Sequence, residues 1–396
     1  MNRREFLTTT ASAAATLAVG ERAIAQEKRW RVGVIGHTGR GDYGHGLHTM
    51  WLSVPETQIV GIADADAKGL EAARKKVSGA PGFADYRQML AETKPDIVAV
   101  CPRHLDQHHE MILAAVEAGA RGIYVEKPFC RTLLEADDIV SACQKKKVKL
   151  AVAHRNRWHP ALAAAKKAID DGAIGQVLEL RGRGKEDTRG GALDLWVLGS
   201  HIFNLMHFLA GTPRSCSAVM LKGTEPAAPS DVKPGAEAVG PIAGDRLHAR
   251  YEMENGVIGY FDSIRGAGVP AANFGLQVIG NKGLIDFRID VEPLAHFVPG
   301  NPFQPANESR PWIPISSAGI GQPEPIANLK TQVANHVLPA RDLIAAIEQN
   351  RPTLCSAEDG RTTVEMIAAV FASHVKNGAR VALPLASRDH PLANWK

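Results

Sequence analysis

The chain has 396 residues, 45% of them apolar, with 46 Lys and Arg against 42 Asp and Glu for a formal net charge of +4. That length and apolar content can bury two hydrophobic cores. So small an excess of charge, spread so thinly, argues against a nucleic-acid partner, and the one dense basic run, Lys145-Lys146-Lys147 with Lys149, reads as a solvated helix end.

The first residues, Asn2-Arg3-Arg4-Glu5-Phe6-Leu7, have the form of a twin-arginine leader. A weakly apolar run to Gly20 follows, too short to span a bilayer, and Ala23-Ile24-Ala25 supplies a small-x-small cleavage site. Residues 1–25 are therefore expected to be a signal peptide, read by the twin-arginine translocase and removed, leaving a periplasmic protein that begins at Gln26 with no membrane anchor. This route carries proteins already folded, with any cofactor inside. Cys101, Cys130, Cys143, Cys216 and Cys355 show no Cys-x-x-Cys spacing and cannot all pair, so they read as small core residues.

Residues 30–153 alternate short β-branched runs with amphipathic stretches. Strands are predicted at 31–35, 58–63, 97–101, 122–125 and 149–153, with helices near 44–54, 67–77, 86–93, 108–118 and 134–146. Alternation at this period means parallel strands with crossover helices, an α/β domain whose doubly wound sheet has Rossmann topology. Residues 154–396 change pattern. A helix at 160–170 precedes strands at 176–181, 215–221, 245–253, 257–263, 275–279 and 284–289, interrupted by a helix at 201–209. This predicts an α+β domain on an open, mostly antiparallel sheet. Helices at 340–349 and 358–377 and an extended 380–384 close the chain. Two Pro-rich segments are read as loops: 222–244 as a structureless connection, and 297–322, with Phe303 and Trp312, as a candidate lid or subunit arm.

Gly36-His37-Thr38-Gly39-Arg40-Gly41-Asp42-Tyr43-Gly44 follows the first strand and is expected to open a helix. Glycines there let the backbone turn tightly and let a pyrophosphate approach free N–H groups, so Gly36, Gly39, Arg40 and Gly41 are candidate cofactor-binding residues. The loop is longer than usual, and a plain glycine-rich turn is the alternative. Asp64 closes the second strand, where a carboxylate accepts the ribose hydroxyls of an adenosine and repels a 2′-phosphate, so NAD is expected over NADP. Asp66 reads as the N-cap of the next helix. In Tyr124-Val125-Glu126-Lys127-Pro128 the carboxyl end of a strand presents Glu126 and Lys127, where parallel sheets bind ligands; a surface ion pair is the plainer reading. A lysine beside a cofactor's positive ring loses its proton more readily and can serve a reacting hydroxyl. His104, His108 and His109 lack a carboxylate or cysteine at ligand spacing, and no metal is expected there.

With these residues in place, the chain resembles the glucose–fructose oxidoreductase/inositol dehydrogenase family, Gfo/Idh/MocA, along nearly all of its mature length. The landmarks are Glu126-Lys127-Pro128, Arg157-Trp158-His159-Pro160, Gly172-Ala173-Ile174-Gly175-Gln176-Val177, Gly190-Gly191 leading to Gly199-Ser200-His201, Glu358-Asp359-Gly360, and Gly378 to Pro384. The resemblance implies an NAD(P)-dependent sugar or polyol oxidoreductase whose second domain binds substrate and builds homo-oligomers. It implies Lys127 as catalytic lysine, His201 as the histidine facing the reacting carbon, Arg157 near the substrate and His108 near the nicotinamide.

One departure stands out. The family commonly has an aspartate four residues before the histidine, on one helix face with it. Here that position is Val197, with Asp194 seven residues before His201 and Asn204 three after it as candidate substrate-binding groups. The segment from Pro102 to His108 is two residues longer than usual.

Three functions follow as expectations. The first is oxidation of a carbinol carbon by an enzyme that keeps NAD(H) tightly bound, since the periplasm has no soluble nicotinamide pool. The second is a redox-neutral glycosidase, lyase or epimerase that oxidises its sugar transiently. The third is a non-catalytic sugar-binding homologue, suggested by Val197.

Overall fold

A computed structural model of the chain describes residues 29–267 and 274–396; the leader read at 1–25 lies outside the described residues. Six strands form the first sheet: β1 (Trp30–Ile35), β2 (Thr57–Ala63), β3 (Gly82–Phe83), β4 (Ile97–Val100), β5 (Gly122–Val125) and β6 (Lys149–Val152). All pair in parallel, in the order β3-β2-β1-β4-β5-β6. Every residue of β4 and β5 is buried, which is why these strands read as unbroken apolar runs and not as alternation. The crossovers α1 (Ala67–Lys76), α2 (Tyr86–Thr93), α3 (His108–Glu117) and α4 (Leu133–Lys146) cover the sheet. Asp66, Asp85 and Thr132 cap α1, α2 and α4 by accepting from Gly69 N, Arg87 N and Glu135 N. Strand order reverses between β1 and β4, which opens a crevice at the carboxyl edge of the sheet.

The helix expected at 44–54 is not one. The chain turns repeatedly from Tyr43 and winds only as a 3-10 turn at Met50–Ser53. Gly44 and Gly46 have φ of +58° and +86°, left-handed conformations that interrupt a right-handed helix.

After α5 (Pro160–Asp170) the chain builds an 11-stranded sheet around β7 (Val177–Arg183). On one side of β7 lie Gly275–Gly280, Gly283–Arg288, Ala295–Pro299, Ile313–Ser316 and Gly319–Ile320; on the other lie Ile258–Ile264, Arg246–Met253, β8 (Pro213–Lys222) and Val381–Ala382. Pairing is antiparallel except between β7 and Ile258–Ile264. Residues of Arg246–Met253 alternate between exposed or half-buried and buried, the mark of a sheet with one packed face. Helices α6 (Ala192–Val197) and α7 (Gly199–Ala210) and the long Ala357–His374 pack against this half.

Both long loops need correction. The ends of 297–322 are sheet, because Ile313–Ser316 continues the ladder on Ala295–Pro299 and Gly319–Ile320 pairs back on it; residues 300–312, with exposed Phe303 and Trp312, stay irregular. The 222–244 segment is anchored by buried Val239, Ile242 and Ala243 and by pairing of Lys233–Pro234 with Pro241–Ile242. Its spaced apolar anchors lack a strand or helix period, so they were invisible as structure. All five cysteines are buried free thiols. Among the described residues no helix is long and apolar enough to cross a membrane.

Candidate active site

Glu126 and Lys127 follow β5 directly, so they are delivered to the carboxyl edge of the parallel sheet, next to Ala153, His154 and Arg155 at the end of β6. Glu126 is fully buried. One carboxylate oxygen accepts from the amide of His45 at 3.0 Å and faces His45 Nδ1 at 3.0 Å, while the other accepts from the amide of Lys127 at 3.0 Å. Burial alone would raise this carboxyl; the His45 hydrogen bond and the charges of His45 and Lys127 overcome it and hold Glu126 below the ordinary carboxylate range. Glu126 is therefore an anion that clamps the exit of the glycine loop to β5.

The Lys127 ammonium crosses to the second half of the molecule and donates to the carbonyl of Val197 at 3.3 Å. Burial lowers its proton affinity, and the carboxylates of Glu126, Glu237 and Asp290 restore part of it. His201, on α7, places Nδ1 3.3 Å from Nδ1 of His154. Burial, then the nearby Lys127, push both imidazoles well below their usual range, with His201 also depressing His154, so they stand neutral, one donating to the other. His336 accepts from or donates to the Tyr124 hydroxyl at 2.6 Å and is held by burial at about 4. Lys127, His201, His45, His336, Arg155 and Glu237 are among the residues lining one cavity of ≈ 190 Å³.

The crevice at the strand-order reversal lies beside this cavity. There the glycine loop meets the loop after β4: Arg40 pairs with Asp106, His37 Nδ1 lies 2.5 Å from Gln107 Oε1, and a Cβ on Gly41 would stand 2.4 Å from the amide of Arg103. Arg40 Nε, Arg103 Nε and Asp106 Oδ1 are buried along this seam without a hydrogen-bond partner. Two orphaned guanidinium donors at the switch point are groups that a pyrophosphate satisfies, so the residues present fit a dinucleotide. Asp64, 2% exposed, ends β2 beside them. Its oxygens accept from Thr38 N at 3.0 and 3.1 Å, Thr38 Oγ1 at 2.7 Å and Asp66 N at 3.0 Å, so a ribose there shares the carboxylate with Thr38.

Several residues expected at the substrate lie elsewhere. Asp194 is fully buried, and its carboxylate accepts from Ser263 Oγ at 2.6 Å, Glu186 N at 3.0 Å and Lys185 N at 3.3 Å. A Cβ on Gly184 would sit 1.9 Å from it; Asp194 pins the 184–191 loop and does not face the cavity. Asn204 accepts from Arg157 Nη1 at 3.0 Å and donates to Thr363 Oγ1 at 3.1 Å. Arg157 also donates to Leu354 O at 2.6 Å, lies 3.6 Å from Asp359 and stacks over Phe208. These two knit α7 to the C-terminal helix, behind the cavity wall. His108 has both ring nitrogens against carbonyls, of Phe129 at 3.1 Å and Pro102 at 2.6 Å, and so braces the lengthened loop; His109 faces Asp138 at 3.3 Å.

Sequence reasoning missed His45, Arg103, His154, Arg155, His336 and Glu237. His154 and Arg155 follow β6 as Glu126 and Lys127 follow β5, and the same edge rule finds them. Glu237 left no signal, since it arrives on the 222–244 segment.

The crevice, the orphaned donors and the paired proton-carrying groups define a two-domain, dinucleotide-dependent oxidoreductase. The family comparison agrees: an oxidoreductase family with an NAD-binding Rossmann fold matches residues 30–154, and that family's C-terminal alpha/beta domain matches residues 151–383, so the chain belongs to the GFO_IDH_MocA family. Levoglucosan dehydrogenase of Pseudarthrobacter phenanthrenivorans is 27% identical over 256 residues, 58% of this chain and 64%, just under two thirds, of that protein. D-apiose dehydrogenase of Paraburkholderia graminis is 28% identical over 338 residues, 80% of this chain and 85% of its own. A solved levoglucosan dehydrogenase in complex with NADH and levoglucosan superposes with a TM-score of 0.71 at 22% identity, covering 90% of this chain and 100% of the other. The protein is an NAD-dependent oxidoreductase.

Proposed function

We propose that this enzyme oxidises a carbinol carbon of a carbohydrate or polyol, as the names of its relatives suggest for them. The observation that carries the reading is Lys127 and His201 on one cavity, beside a crevice with unsatisfied cationic donors. NAD, when bound, supplies the hydride acceptor. Arg40 and Arg103 would hold its phosphates, and Asp64 with Thr38 its adenosine ribose. The Lys127 amine, oriented by the Val197 carbonyl, takes the hydroxyl proton; His201, neutral and backed by His154, orients the same hydroxyl and offers a second station for the proton. Val197 thus contributes its backbone at the position where the family resemblance implies an aspartate.

We further propose export by the twin-arginine route, on the leader at 1–25, with the cofactor carried across and retained, and assembly as a homo-oligomer. Denatured protein purified from the periplasm without added nucleotide should release NAD(H), seen by ultraviolet and mass spectra; empty protein that takes up neither pyridine nucleotide ends the reading. Lys127→Ala should lower kcat by at least about 100-fold, the usual worth of a positioned acid–base group, and retained activity removes it from the reaction.

A second reading has one observation in its favour. The cavity touches two separate proton relays, His201 with His154 and His336 with Tyr124, one more than alcohol oxidation uses. A redox-neutral elimination or epimerisation would employ both. Product release with no net change in NADH absorbance distinguishes it.

A further inference from the structure

His336 lines the same cavity as Lys127 and His201, yet the oxidation proposed above gives it no proton to move. It stands just ahead of the helix Val337–Glu348, with a φ of +54°. A left-handed backbone is uncommon outside glycine and persists where the surroundings demand it. Here it brings the ring onto β5, with Nδ1 2.6 Å from the Tyr124 hydroxyl.

That hydrogen bond decides which nitrogen of His336 carries the proton. Tyr124 is fully buried, its ring edge-on to Trp51 and to Trp158 with centroids 6.4 Å away in each case, and burial keeps its hydroxyl protonated. Among the described residues the hydroxyl has no partner besides His336. If Nδ1 donated to the tyrosine oxygen, the phenol proton would lack an acceptor and the Nε2 lone pair would lack a donor. If the hydroxyl donates to Nδ1, a single group is left over, an Nε2–H. The second arrangement strands fewer buried groups and is the stable one. Burial also holds the imidazole neutral. Its Nε2, on the far side of the ring from Tyr124, is buried without a hydrogen-bond partner. A fixed donor therefore stands unsatisfied at the cavity wall, and an oxygen of a bound molecule is the group that satisfies it. Beyond burial, the groups that act most on this ring are Glu126, Arg155, His45 and Asp290, whereas His201 is affected most by Lys127. His336 thus serves a different part of the substrate from the hydroxyl that meets Lys127.

We propose that His336 is a specificity-determining residue whose Nε2–H donates to a sugar oxygen other than the one being oxidised, so that the enzyme selects substrates hydroxylated at that second carbon. This rests on the sugar-oxidising reading above. The test uses NAD-loaded enzyme, the fastest reacting of glucose, galactose, mannose and xylose, and the monodeoxy analogues of that sugar. Removal of one hydroxyl away from the reacting carbon should lower kcat/KM by at least about tenfold, because it leaves the buried donor unpaired. His336→Phe should raise KM for the parent sugar by about tenfold with kcat within about threefold, and should shrink that one penalty to under about threefold while the penalties at other carbons stay as they were. A purely structural role would weaken all the analogues alike. His336→Gln, which keeps an N–H near the place of Nε2, should retain the penalty, and Tyr124→Phe, which keeps the ring but frees the tautomer, should reduce it. Proton–nitrogen NMR of histidine-labelled, NAD-loaded protein should show His336 protonated at Nε2. A proton on Nδ1, the absence of any such penalty, or a penalty that survives His336→Phe, or Tyr124→Phe should the first variant not fold, overturns this inference and leaves the dehydrogenase standing. Failure of all four sugars to bind or react removes the sugar reading and this one with it.

Discussion

Arg157 tests whether a landmark residue of the chain is structural or meets the substrate. Its guanidinium donates to Asn204 Oδ1 at 3.0 Å and Leu354 O at 2.6 Å, lies 3.6 Å from Asp359, and its side chain is 6% exposed. Arg157→Ala strands these acceptors in the interior, and removing one partner of a buried, hydrogen-bonded pair costs about 3–5 kcal/mol. Asp359 is 24% exposed and water can reach it, which favours the lower end. For a domain of this size each kcal/mol moves Tm by about 2–4 °C, so the melting temperature should fall by on the order of 10 °C. Scanning calorimetry of the NAD-loaded protein gives the shift, and steady-state kinetics well below the new Tm give KM for the sugar, which should stay within about twofold, a difference under 0.5 kcal/mol. An unchanged Tm together with a tenfold rise in KM would refute the assignment and return Arg157 to the substrate.

Two further changes probe the site itself. Glu237→Gln removes an anion that favours protonated Lys127; the amine then releases its proton at lower pH, and the acid limb of kcat/KM for oxidation should move down, because Glu126 and Asp290 still raise it while burial and Arg103 lower it. A limb that stays put or moves up in the pH–rate profile contradicts the placement of Glu237 in the cavity. Gly44→Ala forces a Cβ to 2.3 Å from Glu126 Oε2 and 2.6 Å from Cys101 O at a φ of +58°. The left-handed backbone costs about 1–2 kcal/mol and the overlap a further ~1–3 kcal/mol, so urea unfolding should show a loss of about 2–5 kcal/mol, whereas Gly39→Ala, where nothing lies within 4 Å, should show only the backbone part.

The parallel sheet was legible because each strand is a compact β-branched run between helical stretches, and the edge rule then located Glu126, Lys127 and Asp64 from sequence order alone. Burial partners were not legible. Asp194 lies near His201 in sequence, yet α6 ends and α7 begins between them, and its carboxylate turns to Ser263, a contact 69 residues apart. Asn204 and Arg157 looked like substrate groups because polar residues in a site motif invite that reading; their acceptors at Leu354 and Thr363 are known only once the C-terminal helix docks. The helix lost at 44–54 fell to two left-handed glycines, which spacing rules count as compatible with a phosphate loop. Glu237 reached the cavity on a segment whose prolines hid its buried anchors.

The bonds from Lys127 to Val197 and from His154 to His201 each span the boundary between the nucleotide-holding half and the wide sheet. A tilt of one half against the other by little more than an ångström severs both before the cleft visibly gapes. Each contact is 3.3 Å long, already near the limit of a hydrogen bond, so the orientation of the Lys127 amine and of the His201 ring depends on the two halves keeping this alignment.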